Sequence, residues 1–286
     1  MAELLKGAPV AAALTEELIL RTKALKERGI TPCLAILRVG ERTDDLVYER
    51  NAEKRCEKVG IAVRHFLLPE DISQPGLLCT MDEINADSGI HGCLILRPLP
   101  KTLDEKAICA ALDPRKDVDG ITAQSMARVY SGNGAGFSPC TAQSCLELLR
   151  FYGIDPTGKQ LAIIGRSLVI GRPAAMLLMA ANATVTICHT KTENLQEIIR
   201  GAEIVIAAAG KAEILNEAYF RSGQVVLDIG INWLEEKQKL VGDVDFEKVE
   251  PIVSAISPVP GGVGAVTTAV LCSHVVEAAE NSVKTE

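Results

Sequence analysis

The feature that most constrains the fold of this chain is a regular alternation of short apolar runs with helix-patterned stretches. Three runs have the length and composition of buried strands: "PCLAILRVG" (32–40), "IAVRHFLL" (61–68) and "GCLILRPLP" (92–100). Helical spacing of apolar residues lies before and between them, at 8–28, 44–59 and 77–87. Strands separated by helices pair in parallel, so the first hundred residues predict a mostly parallel sheet covered by helices.

The same alternation resumes after residue 140. Helices are predicted at 142–153, 172–182 and 193–202, and strands at 160–165, 183–189, 203–210 and 224–230. The region between the two halves, 113–140, is rich in Gly, Asp and Ser, and we expect a long connection there. A final helix is predicted from about residue 263 to 281. The predicted fold class is therefore α/β with two domains.

Composition excludes several classes of partner. The 286 residues are enough for two domains, and the net charge of −7 argues against nucleic acid or an anionic membrane as a partner. We expect neither a membrane span nor a signal peptide. The nine cysteines show no C-x-x-C spacing and no clustering with His. Reduced thiols, no metal site and a cytoplasmic protein are expected.

The strongest local signal for a ligand is "LAIIGRSLVIGRPAAMLL" (161–178). A strand ends at Gly165, a tight turn follows, and Gly171 begins a helix with Pro173 in its first turn. This is a variant of the dinucleotide fingerprint, in which the amides and the dipole of the helix start hold a pyrophosphate. For the motif taken alone, a plain strand–turn–helix connection is the alternative.

The next strand indicates which dinucleotide binds. An NAD site usually has Asp or Glu at the end of this strand, where it accepts hydrogen bonds from the ribose hydroxyls. Here "ATVTICH" ends in His189, followed by Thr190 and Lys191, and Arg166 lies in the preceding turn. These cations and hydroxyls favour the 2′-phosphate of NADP. The alternative is that His189 and Lys191 are solvated loop residues.

Two further loops carry functional signals. "KDVDGIT" (116–122) places Asp117 and Asp119 before a glycine, and "SPVPGGVGAVTTAVL" (257–271) is a Pro-Gly turn that runs into an apolar helix. Paired glycines allow the backbone to approach a flat ligand closely. Either loop can instead be a structural turn. Asp117 and Asp119 have no His or carboxylate partner nearby in the sequence, so we expect no metal there.

Together these segments closely resemble one family, the bifunctional methylenetetrahydrofolate dehydrogenase/methenyltetrahydrofolate cyclohydrolases. The matching pieces occur in the family's order, from about residue 5 to 280: "ILRVG" with Tyr48, "RPLPK", "KDVDG", "PCTAQSCLELL", "GRSLVIGRP", "ATVTICHTKT", "VVLDIGIN", "VGDVDF" and "SPVPGGVGAVT". No single motif is highly specific, but the combination of "GRS", "CHTKT" and "PVPGGVG" is.

The resemblance implies two α/β domains with a cleft between them, the second a Rossmann-like NADP-binding domain. We expect the folate domain at 1–140, the NADP domain at 141–267, and a C-terminal helix at 268–286 that packs back on the first domain. Folate, NADP and a second copy in a homodimer are the implied partners, in one-carbon metabolism and purine biosynthesis. Hydride transfer from the folate methylene carbon to NADP⁺ mainly requires positioning. The cyclohydrolase step, hydration and ring opening, requires proton transfer.

The resemblance also assigns residues by their positions. Tyr48 matches the tyrosine that lies against the substrate, and Asp119 matches the acid that holds the pterin ring, so both are catalytic candidates. Folate contacts are expected at Tyr48, Pro98, Leu99, Asp119, Gly261, Gly262 and Val263. NADP contacts are expected at Thr141, Gly165, Arg166, Ser167, Gly171, His189, Thr190 and Ile231.

The chain departs from the family at the residues tied to the cyclohydrolase step. In the family pattern a lysine follows the tyrosine by four residues, on the same helix face, and a glutamine supports it. Ala52 and Leu96 occupy the positions of this lysine and glutamine, and Asp45 stands where the family often has serine. Lys54 faces elsewhere on the helix. Arg55 returns to the right face but does not readily release a proton.

We therefore predict an NADP-dependent dehydrogenase whose cyclohydrolase activity is weak or absent. Losing a general acid–base group typically lowers a rate by about two to four orders of magnitude. The first alternative is the full bifunctional enzyme, in which Arg97 or Arg55 repositions a water. The second alternative is a catalytically silent protein that binds folate and NADP.

Overall fold

The structure, a computed structural model, describes residues 1–283. The described helices are α1 (Gly7–Glu27), α2 (Thr43–Val59), α3 (Gln74–Ala86), α4 (Glu105–Ala111), α5 (Ala123–Ser131), α6 (Cys140–Phe151), α7 (Gly171–Ala180), α8 (Leu195–Gly201), α9 (Phe246–Val249) and α10 (Thr267–Ser282). The described strands are β1 (Glu3–Leu4), β2 (Cys33–Val39), β3 (Ala62–Leu68), β4 (Gly92–Ile95), β5 (Gln160–Ile164), β6 (Thr184–Cys188), β7 (Ile204–Ala207), β8 (Val225–Asp228), β9 (Asn232–Leu234), β10 (Lys239–Val241) and β11 (Ala255–Ile256). None of these helices has the length and hydropathy that crossing a bilayer requires.

One compact unit consists of residues 13–140 and the chain from Thr268 onward, and is called here the three-stranded unit. Its sheet has the order β3-β2-β4 with parallel pairs throughout. Side chains alternate between the two faces of β2. Leu37 and the other odd-numbered residues join a core that includes Met81 of α3 and Ile108 of α4. Arg38 is on the opposite face, where its side chain reaches α2.

A second compact unit consists of residues 1–12 and 141–267, and is called here the six-stranded unit. Its main sheet has the order β1-β11-β8-β7-β5-β6, and every pair is parallel. The strands β9 and β10 form a separate antiparallel pair. Because β6 lies on one side of β5 and β7 on the other, the direction of connection reverses at β5. Open α/β sheets bind ligands at such a reversal, outside the carboxyl ends of the strands.

The N-terminal residues belong to a different unit from the one that the predicted domain division gives them. Residues 1–140 are expected in the first domain, but β1 pairs with β11 of the six-stranded sheet, through Glu3 with Ala255 and Leu4 with Ile256. Leu5 is fully buried, and its amide donates a hydrogen bond to Ile256 O at 2.9 Å. A strand of two residues carries too short a pattern to be recognised in a sequence.

The structure contains one helix that was not predicted, α5, and gives the C-terminal helix different bounds from the predicted ones. The connection 113–140 contains α5, whose N-cap Thr122 accepts a hydrogen bond from Ser125 N, and which ends at Gly132 in the left-handed conformation. The surrounding Gly and Ser residues hid its pattern in the sequence. The C-terminal helix predicted at 268–286 is α10, which belongs to the three-stranded unit from Thr268 onward. Residues 284–286 of that prediction lie outside the described residues.

The burial of Leu37 on β2 predicts how its truncation changes the free energy of unfolding. Leu37 is fully buried, whereas Leu20 on α1 is 69% exposed. We expect Leu37→Ala to lower the free energy of unfolding by about 2–5 kcal/mol, because it leaves a cavity in the core. The control Leu20→Ala should change it by less than about 0.5 kcal/mol. Urea denaturation followed by circular dichroism measures both, and equal effects would contradict this assignment of the core.

Candidate functional site

The carboxyl ends of β5 and β6 bring the predicted cofactor residues together. The two strands pair in register up to Ile164 and Cys188, so that Gly165 and His189 follow at the same edge of the sheet. Gly165 N donates to Cys188 O at 2.9 Å. The exposed residues of these two turns include the predicted cofactor residues Arg166, Ser167 and Thr190. Thr141 lies elsewhere along the chain, in the first turn of α6, and is partly exposed.

Two glycines in this turn are required by close backbone approach. Gly165 has a φ of +132°, and a Cβ there would overlap the carbonyl of Ala208 just after β7. A Cβ on Gly171 would overlap the carbonyl of Gly165. The turn therefore closes tightly at the start of α7, where the N-cap residue Ile170 provides no side-chain cap. A backbone without Cβ atoms and a helix start without a side-chain cap fit a pyrophosphate.

The turn after β6 is fixed by its own hydrogen bonds. His189 N donates to Thr192 Oγ1 at 2.8 Å, and Lys191 N donates to His189 Nδ1 at 3.1 Å. The His189 ring therefore has a structural part in the turn. Arg166, Thr190 and Lys191 are exposed, so their cationic and hydroxyl groups are available to bind a phosphate.

A cavity of about 310 Å³ lies at the carboxyl ends of β8 and β11 in the six-stranded unit. Its lining includes Ile231 and the predicted loop residues Gly261, Gly262 and Val263. Gly7, the first residue of α1, supports this loop, because Gly7 N donates to Gly261 O at 2.8 Å. A Cβ on Gly7 would overlap the Gly262 carbonyl. The structure thus brings Ile231 together with the Gly-rich loop.

Two buried carboxylates, which the sequence analysis missed, hold these loops. Asp243 accepts hydrogen bonds from the three successive amides of residues 209–211, at 2.6, 2.9 and 2.8 Å. Asp228 accepts from the amides of Gly230, Asp243 and Val244. Burial raises the pKa of Asp228 to about 7, although the amide hydrogen bonds oppose the rise. Gly242 packs directly on the Asp228 carboxylate, and Gly230 packs directly on the Asp243 carboxylate. These glycines are the signal in the sequence that could have pointed to the two buried acids.

The predicted residues of the three-stranded unit centre on α2. Its buried face consists of Asp45, Glu49, Ala52, Cys56 and Val59. Tyr48 is half-buried, one residue before Glu49. Ala52 is fully buried and Leu96 is 5% exposed. Both positions where the family pattern has a polar group are therefore apolar and closed to solvent. Glu49 and its partners Arg38 and His65 are polar groups that no sequence pattern revealed.

The two acids of "KDVDG" have different environments. Asp117 is fully buried and accepts hydrogen bonds from three groups around the start of α5, at 2.9, 2.7 and 2.6 Å: Ile121 N, Thr122 N and Ser125 Oγ. It is a structural residue. Asp119 is only partly buried by area, and desolvation raises its pKa to about 6, although the nearby Arg97 opposes the rise. An acid with this exposure and pKa suits ligand binding.

The loop after β4 places its predicted residues differently. Pro98 is exposed, and its carbonyl accepts a hydrogen bond from Arg42 Nη1 at 2.9 Å. The Leu99 side chain packs in the core with α3, and Leu99 N donates a hydrogen bond to Glu105 Oε2 at 2.8 Å. Arg97 Nη1 lies 3.6 Å from Glu105 Oε1. Within residues 1–283, no three His, Cys, Asp or Glu side chains are grouped to hold a metal ion.

These features define a dinucleotide-dependent α/β enzyme, and comparison with known proteins identifies its family. The model of the tetrahydrofolate dehydrogenase/cyclohydrolase catalytic domain matches residues 5–119. The model of the NAD(P)-binding domain of the same family matches residues 139–283. The bifunctional protein FolD of Carboxydothermus hydrogenoformans is 50% identical over 281 residues, which is 98% of each chain.

Solved structures agree with these matches. The bifunctional methylenetetrahydrofolate dehydrogenase/cyclohydrolase FolD of Campylobacter jejuni superimposes with a TM-score of 0.95 at 40% identity, over 98% of this chain and 99% of that one. The FolD of Trypanosoma brucei, solved with NADP and an inhibitor, has a TM-score of 0.92 at 30% identity over 99% of each chain. This chain belongs to the tetrahydrofolate dehydrogenase/cyclohydrolase family. The predicted family, fold class, enzyme class and NADP cofactor are confirmed.

The close backbone approach at Gly171 predicts how a substitution there changes the affinity for NADP⁺. We expect Gly171→Ala to raise the Kd for NADP⁺ by about tenfold or more, because the added methyl group displaces the backbone of the turn. Gly201→Ala is the matched control, since a Cβ on Gly201 meets no atom within 4 Å. Isothermal titration calorimetry measures both. Unchanged affinity in Gly171→Ala would contradict the assignment of this turn to the cofactor.

Proposed function

We propose that this chain oxidises 5,10-methylenetetrahydrofolate to 5,10-methenyltetrahydrofolate with NADP⁺ as the hydride acceptor. The observation that carries the proposal is the Gly165–Gly171 turn, which ends at an uncapped helix start next to the exposed Arg166. The activity named for the Campylobacter relative supports it. The six-stranded unit supplies the cofactor residues, and the three-stranded unit supplies Tyr48 and Asp119.

The residues of the chain have separate tasks in this proposal. The start of α7 binds the pyrophosphate, and Arg166 with Thr190 binds the 2′-phosphate, which selects NADP over NAD. Tyr48 lies against the folate and orients it. Asp119, in its ionised form, accepts hydrogen bonds from the pterin ring. Hydride transfer requires no proton-transferring side chain, so orientation and electrostatics are sufficient for this step.

For the second step, the comparisons favour the bifunctional alternative, because the relatives are named bifunctional proteins. A cyclohydrolase that produces 10-formyltetrahydrofolate is therefore the first candidate. One observation favours the weaker activity predicted from the sequence: Ala52 and Leu96 are both buried and apolar. Arg55 is engaged elsewhere, since its Nη1 donates to Thr15 Oγ1 at 2.9 Å. Lys54 is exposed.

One preparation tests both steps. Methylenetetrahydrofolate with NADP⁺ should form NADPH, and NAD⁺ at the same concentration should be a poorer acceptor. No NADPH above the rate without enzyme would contradict the proposal and leave the silent binding protein. Methenyltetrahydrofolate alone is then followed against its decay in buffer. Faster decay supports the bifunctional enzyme. Decay at the buffer rate supports the weaker activity, and Ala52→Lys with Leu96→Gln should then accelerate it.

The pKa of Asp119 generates a pH prediction. Burial raises this pKa to about 6, so the carboxyl is ionised above that pH and protonated below it. We expect kcat/KM for methylenetetrahydrofolate to be constant above about pH 7 and to fall by about tenfold per pH unit well below 6. Asp119→Asn should lower kcat/KM and remove this dependence. An unchanged pH profile in that variant would contradict the role of Asp119.

A homodimer and a cytoplasmic location are further parts of the proposal. The homodimer rests on the resemblance to the family, and the location on the nine cysteines, which form no disulfide within the described residues 1–283. Light scattering coupled to size-exclusion chromatography measures the mass in solution, and a value near 30.6 kDa would contradict the dimer.

A further inference from the structure

A buried ion pair lies beside Tyr48 in the three-stranded unit. Arg38 Nε donates to Glu49 Oε2 at 2.7 Å, and the two side chains are 8% and 9% exposed. No other ion pair within residues 1–283 has both side chains below a tenth exposed. The Arg38 guanidinium also donates from Nη1 to Gly40 O. Both partners are therefore held in one geometry, away from solvent.

A histidine and a second carboxylate extend this pair. Glu49 Oε1 lies 2.9 Å from Nδ1 of His65, and Nε2 of the same ring lies 2.7 Å from Glu53 Oε1. The two ring nitrogens of His65 therefore bridge the carboxylates of Glu49 and Glu53. We call Arg38, Glu49, His65 and Glu53 the charged array. It connects β2 and β3 to α2 through side-chain contacts.

The charged array borders the two positions that are apolar in this chain. Leu37 pairs with Ile95, and Leu37 O accepts a hydrogen bond from Leu96 N at 3.0 Å. Arg38 and Leu96 are consequently neighbours on the same face of the sheet. On α2, Glu49 precedes Ala52 by three residues along the buried face. Side chains at this spacing are adjacent on a helix.

We propose that the Arg38–Glu49 pair positions Tyr48 for hydride transfer, an inference that rests on the proposed dehydrogenase function. The N-cap residue of α2, Arg42, makes no side-chain cap hydrogen bond, so the first turns of this helix depend on tertiary contacts for their position. Glu49 is the next residue after Tyr48, and its carboxylate is fixed to β2. Arg38 and Glu49 are positioning residues, because they act through Tyr48.

This role agrees with the chemistry of the two steps. A guanidinium does not release its proton in proteins, so Arg38 cannot replace a proton-transferring lysine. It can fix the orientation of a helix, because its hydrogen bonds are directional and shielded from water. The Arg38–Glu49 pair therefore supports the step that depends on geometry, which is hydride transfer.

The test replaces the pair with apolar side chains of similar size, as Arg38→Met/Glu49→Leu. Removing one partner alone would leave a buried charge and could unfold the chain, whereas replacing both is often neutral for stability. Initial rates of NADPH formation are measured while methylenetetrahydrofolate and NADP⁺ are varied separately. We expect kcat/KM for the folate to fall by about 10- to 100-fold, because small misplacements of this kind cost that much. KM for NADP⁺ should change by less than about twofold, because the expected NADP contacts are on the six-stranded unit.

Tyr48→Phe distinguishes positioning from a general structural effect. In the wild-type background it should lower kcat/KM for the folate. In the Arg38→Met/Glu49→Leu background, the same change should cost less than about twofold more, because Tyr48 is already misplaced. Additive losses would overturn the proposal. Arg38→Lys is a milder variant, which keeps the charge but lacks the planar fork, and it should lose about three- to tenfold in the same parameter.

The matched control is Arg21→Met/Glu280→Leu, which removes another ion pair of the same unit, with N···O distances of 2.9 and 2.8 Å. Its folate kinetics should equal those of the wild type. Wild-type folate kinetics in the folded Arg38→Met/Glu49→Leu variant, or equal losses for folate and NADP⁺, would overturn this inference alone. If the wild type itself forms no NADPH, the proposed function fails and this role of the pair fails with it.

Discussion

In-register parallel pairing of strands is the constraint on which the whole candidate site depends. In the six-stranded sheet it places Gly165 and His189 at the same edge, immediately after their strands. In the three-stranded sheet it sets Arg38 beside Leu96 and on the face covered by α2. A register shift of one residue would move Arg38 to the opposite face, among the apolar side chains that pack on α3. The chemistry of both units therefore follows from the pairing of their strands.

Buried polar groups hold the loops that this pairing brings to the edge. Asp117 fixes the start of α5, Asp243 binds three amides after β7, and the Arg38–Glu49 pair joins α2 to β2. Burying such groups is unfavourable unless their hydrogen bonds are satisfied. Each of these carboxylates accepts two or more hydrogen bonds. The site is thus positioned by directional contacts, which define one geometry more sharply than apolar packing does.

The sequence predicted the parts of this structure that depend on local pattern. The alternation of strands and helices and the Gly165–Gly171 turn each lie within a few consecutive residues, and the structure has them where they were expected. The pairing of β1 with β11 joins residues about 250 positions apart, and no local pattern announces it. The Arg38–Glu49 pair also has no local signal, because tertiary packing of α2 on β2 brings these two side chains together. Asp117 and Asp119 look alike in the sequence, but they differ in burial and in hydrogen-bond partners, which only the fold determines.

The most direct test of this account follows the hydrogen itself. Methylenetetrahydrofolate carrying deuterium on its methylene carbon is incubated with the chain and NADP⁺, and the reduced cofactor is analysed by mass spectrometry. The account predicts that deuterium appears in the reduced cofactor and that the labelled substrate reacts more slowly under single-turnover conditions. Reduced cofactor without deuterium, or no reduced cofactor at all, would contradict the claim that this chain transfers a hydride from folate to NADP⁺.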